Sequence, residues 1–176
     1  MKKIVFFALL FISFAQVFGQ QAQDAPLPPY KVFGAVPAIK LMRADSTFFV
    51  VKDMVKKNMG TVVIIFSPTC SHCQHQAEEI TSHIGEFKNV NFVFSTTYDI
   101  KDMKQYISDY GLDKFPNISV GYDKGYVMGS FYKIQSLPGI FVYDKKGKFV
   151  ATFETNVKAQ TLLDALDGKQ AATTGK

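Results

Sequence analysis

The chain has 176 residues, of which 47% are apolar and 20% charged. That length and balance suit one globular domain with an ordinary core and argue against a disordered chain or two full domains. The formal net charge is +5. Lys2 and Lys3 fall in a leader expected to be removed, which leaves 18 basic against 15 acidic residues. No stretch gathers Lys and Arg among aromatics, so nucleic acid is not an expected partner.

Taken in chain order, Met1-Lys2-Lys3 forms a basic n-region, Ile4 to Phe14 an apolar h-region, and Val17-Phe18-Gly19 a cleavage site. The expectation is a signal peptide over 1–19. The apolar run falls short of the ~20 residues that span a bilayer. Residues 20–29 (QQAQDAPLPP) are polar and proline-rich, which predicts an extended linker. The folded domain is expected over 30–168, with a frayed tail at 169–176. Such a leader places the mature protein in the periplasm or outside the cell.

Thr61 to Phe66 (TVVIIF) is a continuous β-branched run after Gly60, the pattern of a strand buried on both faces. Beyond Pro68 the period changes. Cys73, Ala77, Ile80, Ile84 and Phe87 form one helical stripe, while His72, His75, Gln76, Glu79 and His83 form an opposite, solvated one. Asn91 to Ser95 predicts a second strand. Asp99 caps a following helix with Ile100, Met103, Ile107 and Tyr110 facing inward and Gly111 at its end. Asn117 to Val120 reads as an added strand and Tyr126 to Tyr132 as a short helix. Gly139 to Tyr143 and Lys148 to Phe153 flank a turn containing Asp144 and Gly147, a hairpin signature. Ala159, Leu162, Leu163 and Leu166 mark a last helix, with Thr155 or Asn156 as its cap. The order predicts an α/β fold: a mixed central sheet with helices on both faces.

The two cysteines stand three positions apart, as Cys70-Ser71-His72-Cys73, where the buried strand gives way to the helix. A disulfide across so small a loop constrains the unfolded chain little, so stabilisation explains the pair poorly. Chemistry explains it better. Helix N-termini and Cys-x-x-Cys arrangements favour a thiolate. The register sets Cys70 at the exposed mouth, as the group that attacks a partner's disulfide, and Cys73 inside, as the group that resolves the mixed disulfide. Ser71 and His72 between them would tune the couple, His72 by stabilising the Cys70 thiolate as an imidazolium. Haem attachment would need His where Gln74 stands. Zinc would need two further ligands, and His75 and His83 lie eight residues apart on the polar stripe, too far to share one ion with the cysteines. No metal or other cofactor is expected beyond the redox-active disulfide Cys70–Cys73.

VVIIFSPTCSHC with its amphipathic helix, and SLPGIFVYDKKGKFV, resemble extracytoplasmic thioredoxin-like proteins, especially the TlpA/ResA-like branch, over roughly Phe33 to Leu166. The resemblance implies a thioredoxin-like fold and an exported thiol–disulfide oxidoreductase, working on protein thiols and disulfides and recharged by a redox partner, for which a membrane-bound protein is one candidate. It implies that Pro138 is a cis-proline facing the cysteines, and that Leu137, Pro138 and Gly139 bind an extended partner peptide. It favours a reductase. The alternatives are a disulfide-donating oxidase or isomerase, and a binding module that kept the fold without turnover. The chain departs from the family pattern in three places. Ile64 stands where cytoplasmic thioredoxins bury an Asp, Gln76 where the branch often has Glu, and Thr69 where Trp is common.

Overall fold

A computed structural model describes residues 26–169; the leader and most of the predicted linker and tail lie outside them. The β-branched run pairs on both sides and becomes β3 (Gly60–Ile65), whose six residues are all buried. Its side chains divide by the period of two. Val62 and Ile64 join one core, and Val63 and Ile65 the other. The sequence thus builds a sheet sandwiched between two hydrophobic layers.

β3 lies at the heart of seven strands. They are β1 (Lys40–Met42), β2 (Phe48–Val50), β3, β4 (Val90–Thr96), β5 (Ile118–Tyr122), β6 (Gly139–Tyr143) and β7 (Phe149–Phe153), ordered β2-β1-β5-β4-β3-β6-β7. β3, β4 and β5 run parallel, while β6 is antiparallel to β3, with Ile64 opposite Ile140. The mixed sheet expected from the order of elements is therefore present. The β6–β7 hairpin turns through Gly147, at φ +74°, and Asp144 accepts hydrogen bonds there from the Lys146 and Lys148 amides.

Five helices cover the sheet: α1 (Pro29–Phe33), α2 (Ser71–Ser82), α3 (Ile100–Tyr110), α4 (Val127–Tyr132) and α5 (Ala159–Leu166). Cys73, Ala77 and Ile80 of α2, Tyr106 of α3 and Leu162 of α5 fill one layer. Tyr30 of α1, Met128 and Tyr132 of α4, and Leu41 and Phe49 of the first hairpin fill the other. Asp99 caps α3 as its sequence predicts, accepting from the Asp102 amide at 2.9 Å, and Gly111 ends it at φ +60°.

Some local features add to or revise the sequence reading. Pro29 opens α1, and Tyr30 is buried among Tyr132, Phe141 and Phe149. A β1–β2 hairpin, too short to show a strand period, extends the sheet at its far edge. The polar stripe of α2 is not wholly solvated. Gln76 is buried and its Oε1 accepts from the Val157 amide at 2.7 Å, while Glu79 accepts from the Ala159 amide at 2.9 Å. The cap of α5 consequently comes from Glu79 of another helix. Thr155 and Asn156 do not supply it: the N-cap position is Lys158, which has no side-chain cap bond of its own.

Candidate active site

The end of β3 delivers the chain to the site. Phe66 donates its amide to the Ser95 carbonyl, extending the ladder by one bond, and Pro68 then prevents its continuation. Ser67 to Cys70 forms a tight turn, closed by the Cys70 amide on the Ser67 carbonyl at 3.2 Å and braced by Gln74 Nε2 on the Pro68 carbonyl at 2.8 Å. Cys70 is thereby the N-cap residue of α2, with extended φ/ψ of −86° and 117° and no side-chain cap bond. Its sulfur makes no cap bond to the helix, and the residue packs only at the margin of the core.

Both thiols are free. Cys70 is half-buried and Cys73 buried, at 1% exposure. The inward and outward placement read from the helical register is what the structure shows. The Cys70 thiol donates to the Leu137 carbonyl at 3.7 Å, bringing together two segments 67 residues apart in sequence. The Leu137–Pro138 peptide bond is cis. Leu137 is half-buried, whereas Pro138 and Gly139 are buried. Gly139 is opposite Ile65, and a Cβ there would come within 2.8 Å of Ile134 Cγ2. It contributes by letting Ile134 pack close, and Leu137 is the accessible residue of the three.

Burial, and secondarily a hydrogen bond with the Cys70 sulfur, push the Cys73 thiol from an ordinary 9.0 up to about 12. The main-chain N–H of Ser67 partly offsets this. Ser71 and His72 are both exposed. His72 Nδ1 lies 3.0 Å from Asn156 Oδ1, a bond that ties the ring to the loop before α5. The same loop is held by Gln76 and Glu79, so His72, Gln76 and Glu79 grip it at successive helical turns.

Sequence reasoning passed over two residues. Tyr106, on the inner face of α3, donates its phenol to the Cys73 carbonyl at 2.7 Å and stacks on Phe66, with ring centroids 4.4 Å apart. It fixes the first turn of α2 from below. The period read through Ile100, Met103, Ile107 and Tyr110 left it off the inner face, whereas the structure buries it. Tyr98 brings its hydroxyl 3.4 Å from Thr69 Oγ1, which is itself 3.0 Å from Ser67 Oγ. These two hydroxyls, Ser67 first, hold the Tyr98 phenol below its usual range. Among the described residues no group of three or more His, Cys, Asp or Glu is placed to hold a metal ion.

The fold that carries these cysteines has counterparts among known proteins. The sequence matches the AhpC/TSA family over residues 32–152, more than half of its length. The chain belongs to the AhpC/TSA family. Within that family its fold is thioredoxin-like, in agreement with the resemblance carried by VVIIFSPTCSHC. It is similar to the structure of MTB DsbF, at 16% identity and a TM-score of 0.63, covering 77% of this chain and 99% of that one. A secreted Mycobacterium tuberculosis disulfide oxidoreductase homologous to E. coli DsbE matches at 17% identity and a TM-score of 0.59, over 74% and 93% of the two chains. A thiol:disulfide interchange protein from Chlorobium tepidum matches at 15% identity and a TM-score of 0.60, over 81% and 97%. At these identities the likeness is one of fold. No curated protein matches the AhpC/TSA chain in sequence.

Proposed function

We propose that this protein is an exported thiol–disulfide oxidoreductase that reduces disulfides in partner proteins through Cys70 and Cys73. The observation that carries the reading is the asymmetry of the pair: one sulfur at the mouth, uncommitted to the helix, and one buried a helical turn away. An inert staple needs neither property.

The chemistry follows from that asymmetry. The Cys70 thiolate attacks a partner disulfide; a bond forms between Cys70 Sγ and one partner sulfur, and the second partner sulfur leaves as a thiolate and takes up a proton. Cys73 then loses its proton and attacks Cys70 Sγ. The Cys70–Cys73 disulfide forms, the first partner sulfur departs, and the partner has gained two electrons that the protein has lost. Cys70 raises the Cys73 thiol only while its sulfur is reduced. Mixed-disulfide formation removes that influence when Cys73 must ionise. A dithiol donor on the exported side, a redox partner in or at the membrane, must restore the pair.

The remaining site residues have supporting roles. Leu137 offers a carbonyl that, once released by Cys70, can accept an N–H from an extended partner backbone. Pro138 and Gly139 shape that wall. Ser71 and His72 tune the couple, His72 through a ring held by Asn156. This last contact favours the second reading, a donor of disulfides, since a positioned imidazolium would stabilise the reduced pair and make it more oxidising.

Insulin reduction by the mature protein and by Cys70→Ser tests the enzyme reading. Turnover by the wild type and loss of at least about a hundredfold in the variant are expected, because the attacking sulfur is gone. A wild type no faster than the variant would leave a thioredoxin-fold binding module.

A further inference from the structure

We propose that the cavity beside the cysteines selects partners carrying a large apolar, preferably aromatic, side chain two residues from the cysteine under attack. The inference rests on the oxidoreductase reading and adds the substrate class.

The cavity measures about 250 Å³, and its lining includes Phe66, Tyr98, Tyr126, Ile134 and Leu137 together with polar residues of the loop before Leu137. A single water in the liquid takes only ~30 Å³, so the space suits a side chain. The cavity is joined to the reacting sulfurs on two sides. Its Leu137 wall accepts the hydrogen bond from Cys70, and its Tyr98 wall meets Thr69, the residue before Cys70. A polypeptide whose sulfur reaches Cys70 therefore lies along the mouth of this cavity. In an extended segment, side chains at positions i and i+2 point the same way. A partner whose cysteine faces Cys70 thus aims the residue two positions along at the same surface.

Tyr126 indicates which side chain fits. It holds φ +54° and ψ 31°, a left-handed conformation uncommon outside glycine, asparagine and aspartate. The surroundings enforce it. Buried Asp123 accepts the Val127 and Met128 amides at 3.0 and 2.8 Å, fixing the start of α4 immediately after Tyr126. Gly129 leaves room for the ring, since a Cβ there would fall 2.3 Å from Tyr126 Cε2. A strained backbone and a glycine socket thus hold an aromatic ring that remains 50% exposed and lines the same cavity as Tyr98, which is 38% exposed. Such strain recurs at ligand clamps. Two exposed rings over an apolar floor of Phe66, Ile134 and Leu137 would meet an incoming ring in edge or offset contact.

Two disulfide-linked peptides, bearing Phe or Ala two residues from the cysteine, provide the probe. The wild type is expected to reduce the Phe peptide with kcat/KM about tenfold higher, equivalent to about 1.4 kcal/mol. Tyr126→Asn removes the ring while tolerating the left-handed backbone, and should lower the ratio below about threefold; Tyr126→Phe should keep it. Tyr98→Ala, at an exposed position, should lower it independently of whether Tyr126→Asn folds. A wild-type ratio near one, or a ratio unchanged in both ring-removing variants, overturns the pocket and leaves the oxidoreductase standing. Reduction of neither peptide by the wild type overturns both.

Discussion

Burial and the adjacent Cys70 sulfur both oppose ionisation of Cys73, which is why its thiol rises to about 12. A thiol that ionises less readily folded than unfolded holds its proton in the native state after the unfolded chain has lost it. Its contribution to stability is therefore complete below the ordinary value of 9.0 and declines as pH rises from there through about 12. Buried Tyr106, Tyr132 and Tyr143 are shifted in the same direction, but each starts from 10.0. The interval between about pH 9 and 10 thus belongs mainly to Cys73. Urea unfolding of the reduced protein across that interval should show stability falling with pH, and Cys73→Ala should flatten the slope. An equal slope in the variant would mean that Cys73 ionises as freely in the fold as in the unfolded chain. The placement of the two sulfurs was legible because helical period and strand end are both written in the sequence. The partners of the site were not: Tyr106, Leu137 and Asn156 reach it from 33, 67 and 84 residues away.

The long-range grip of α2 on α5 decides how the last element docks. Glu79 satisfies the Ala159 amide and pairs with Lys158 Nζ at 3.3 Å, replacing the local cap that α5 lacks. Loss of an N-cap oxygen costs about 0.5–2 kcal/mol, so Glu79→Ala should destabilise the protein by about 1 kcal/mol in urea titrations with little change in m-value. That amide, and then Lys158, hold the Glu79 carboxyl below its ordinary range. The contribution is present above the ordinary carboxylate pKa and fades as acid protonates the depressed group. The wild-type advantage over Glu79→Ala should accordingly shrink as acid takes the pH below about 4.5; an advantage that does not change with acidification would contradict the cap. A helical wheel shows why this contact escaped the sequence reading. Gln76 and Glu79 sit on a stripe that looks solvated, and only the fold brings the main chain of 157–159 against it. Gln76 also leaves its Nε2 without a partner among the described residues. Elements with a strong period of their own, such as β3, α2, α3 and the β6–β7 hairpin, were legible. The three-residue strands β1 and β2 carry no such period and owe their form to pairing across the sheet edge.

At the scale of the molecule, the two hydrophobic layers hold β3 rigid, and the site grows from its end. The parallel core of β3, β4 and β5 puts the starts of α2 and α3 at the carboxyl ends of the strands, and antiparallel β6 returns Leu137 and Pro138 beside them. This geometry makes one redox couple out of residues from three elements, whose direction depends on whether the fold stabilises the dithiol or the disulfide. The reduced pair has a buried Cys73 that resists becoming a thiolate and a Cys70 held by a long bond to the Leu137 carbonyl and by the Cys73 thiol. Neither feature markedly favours the dithiol, in keeping with the proposed reductant. Equilibrating the mature protein against glutathione and dithiothreitol buffers weighs these effects directly. The account predicts a reversible two-electron couple at or below about −250 mV, near the thioredoxin end of the scale, whereas a value near about −120 mV, or no reversible couple at all, would contradict it.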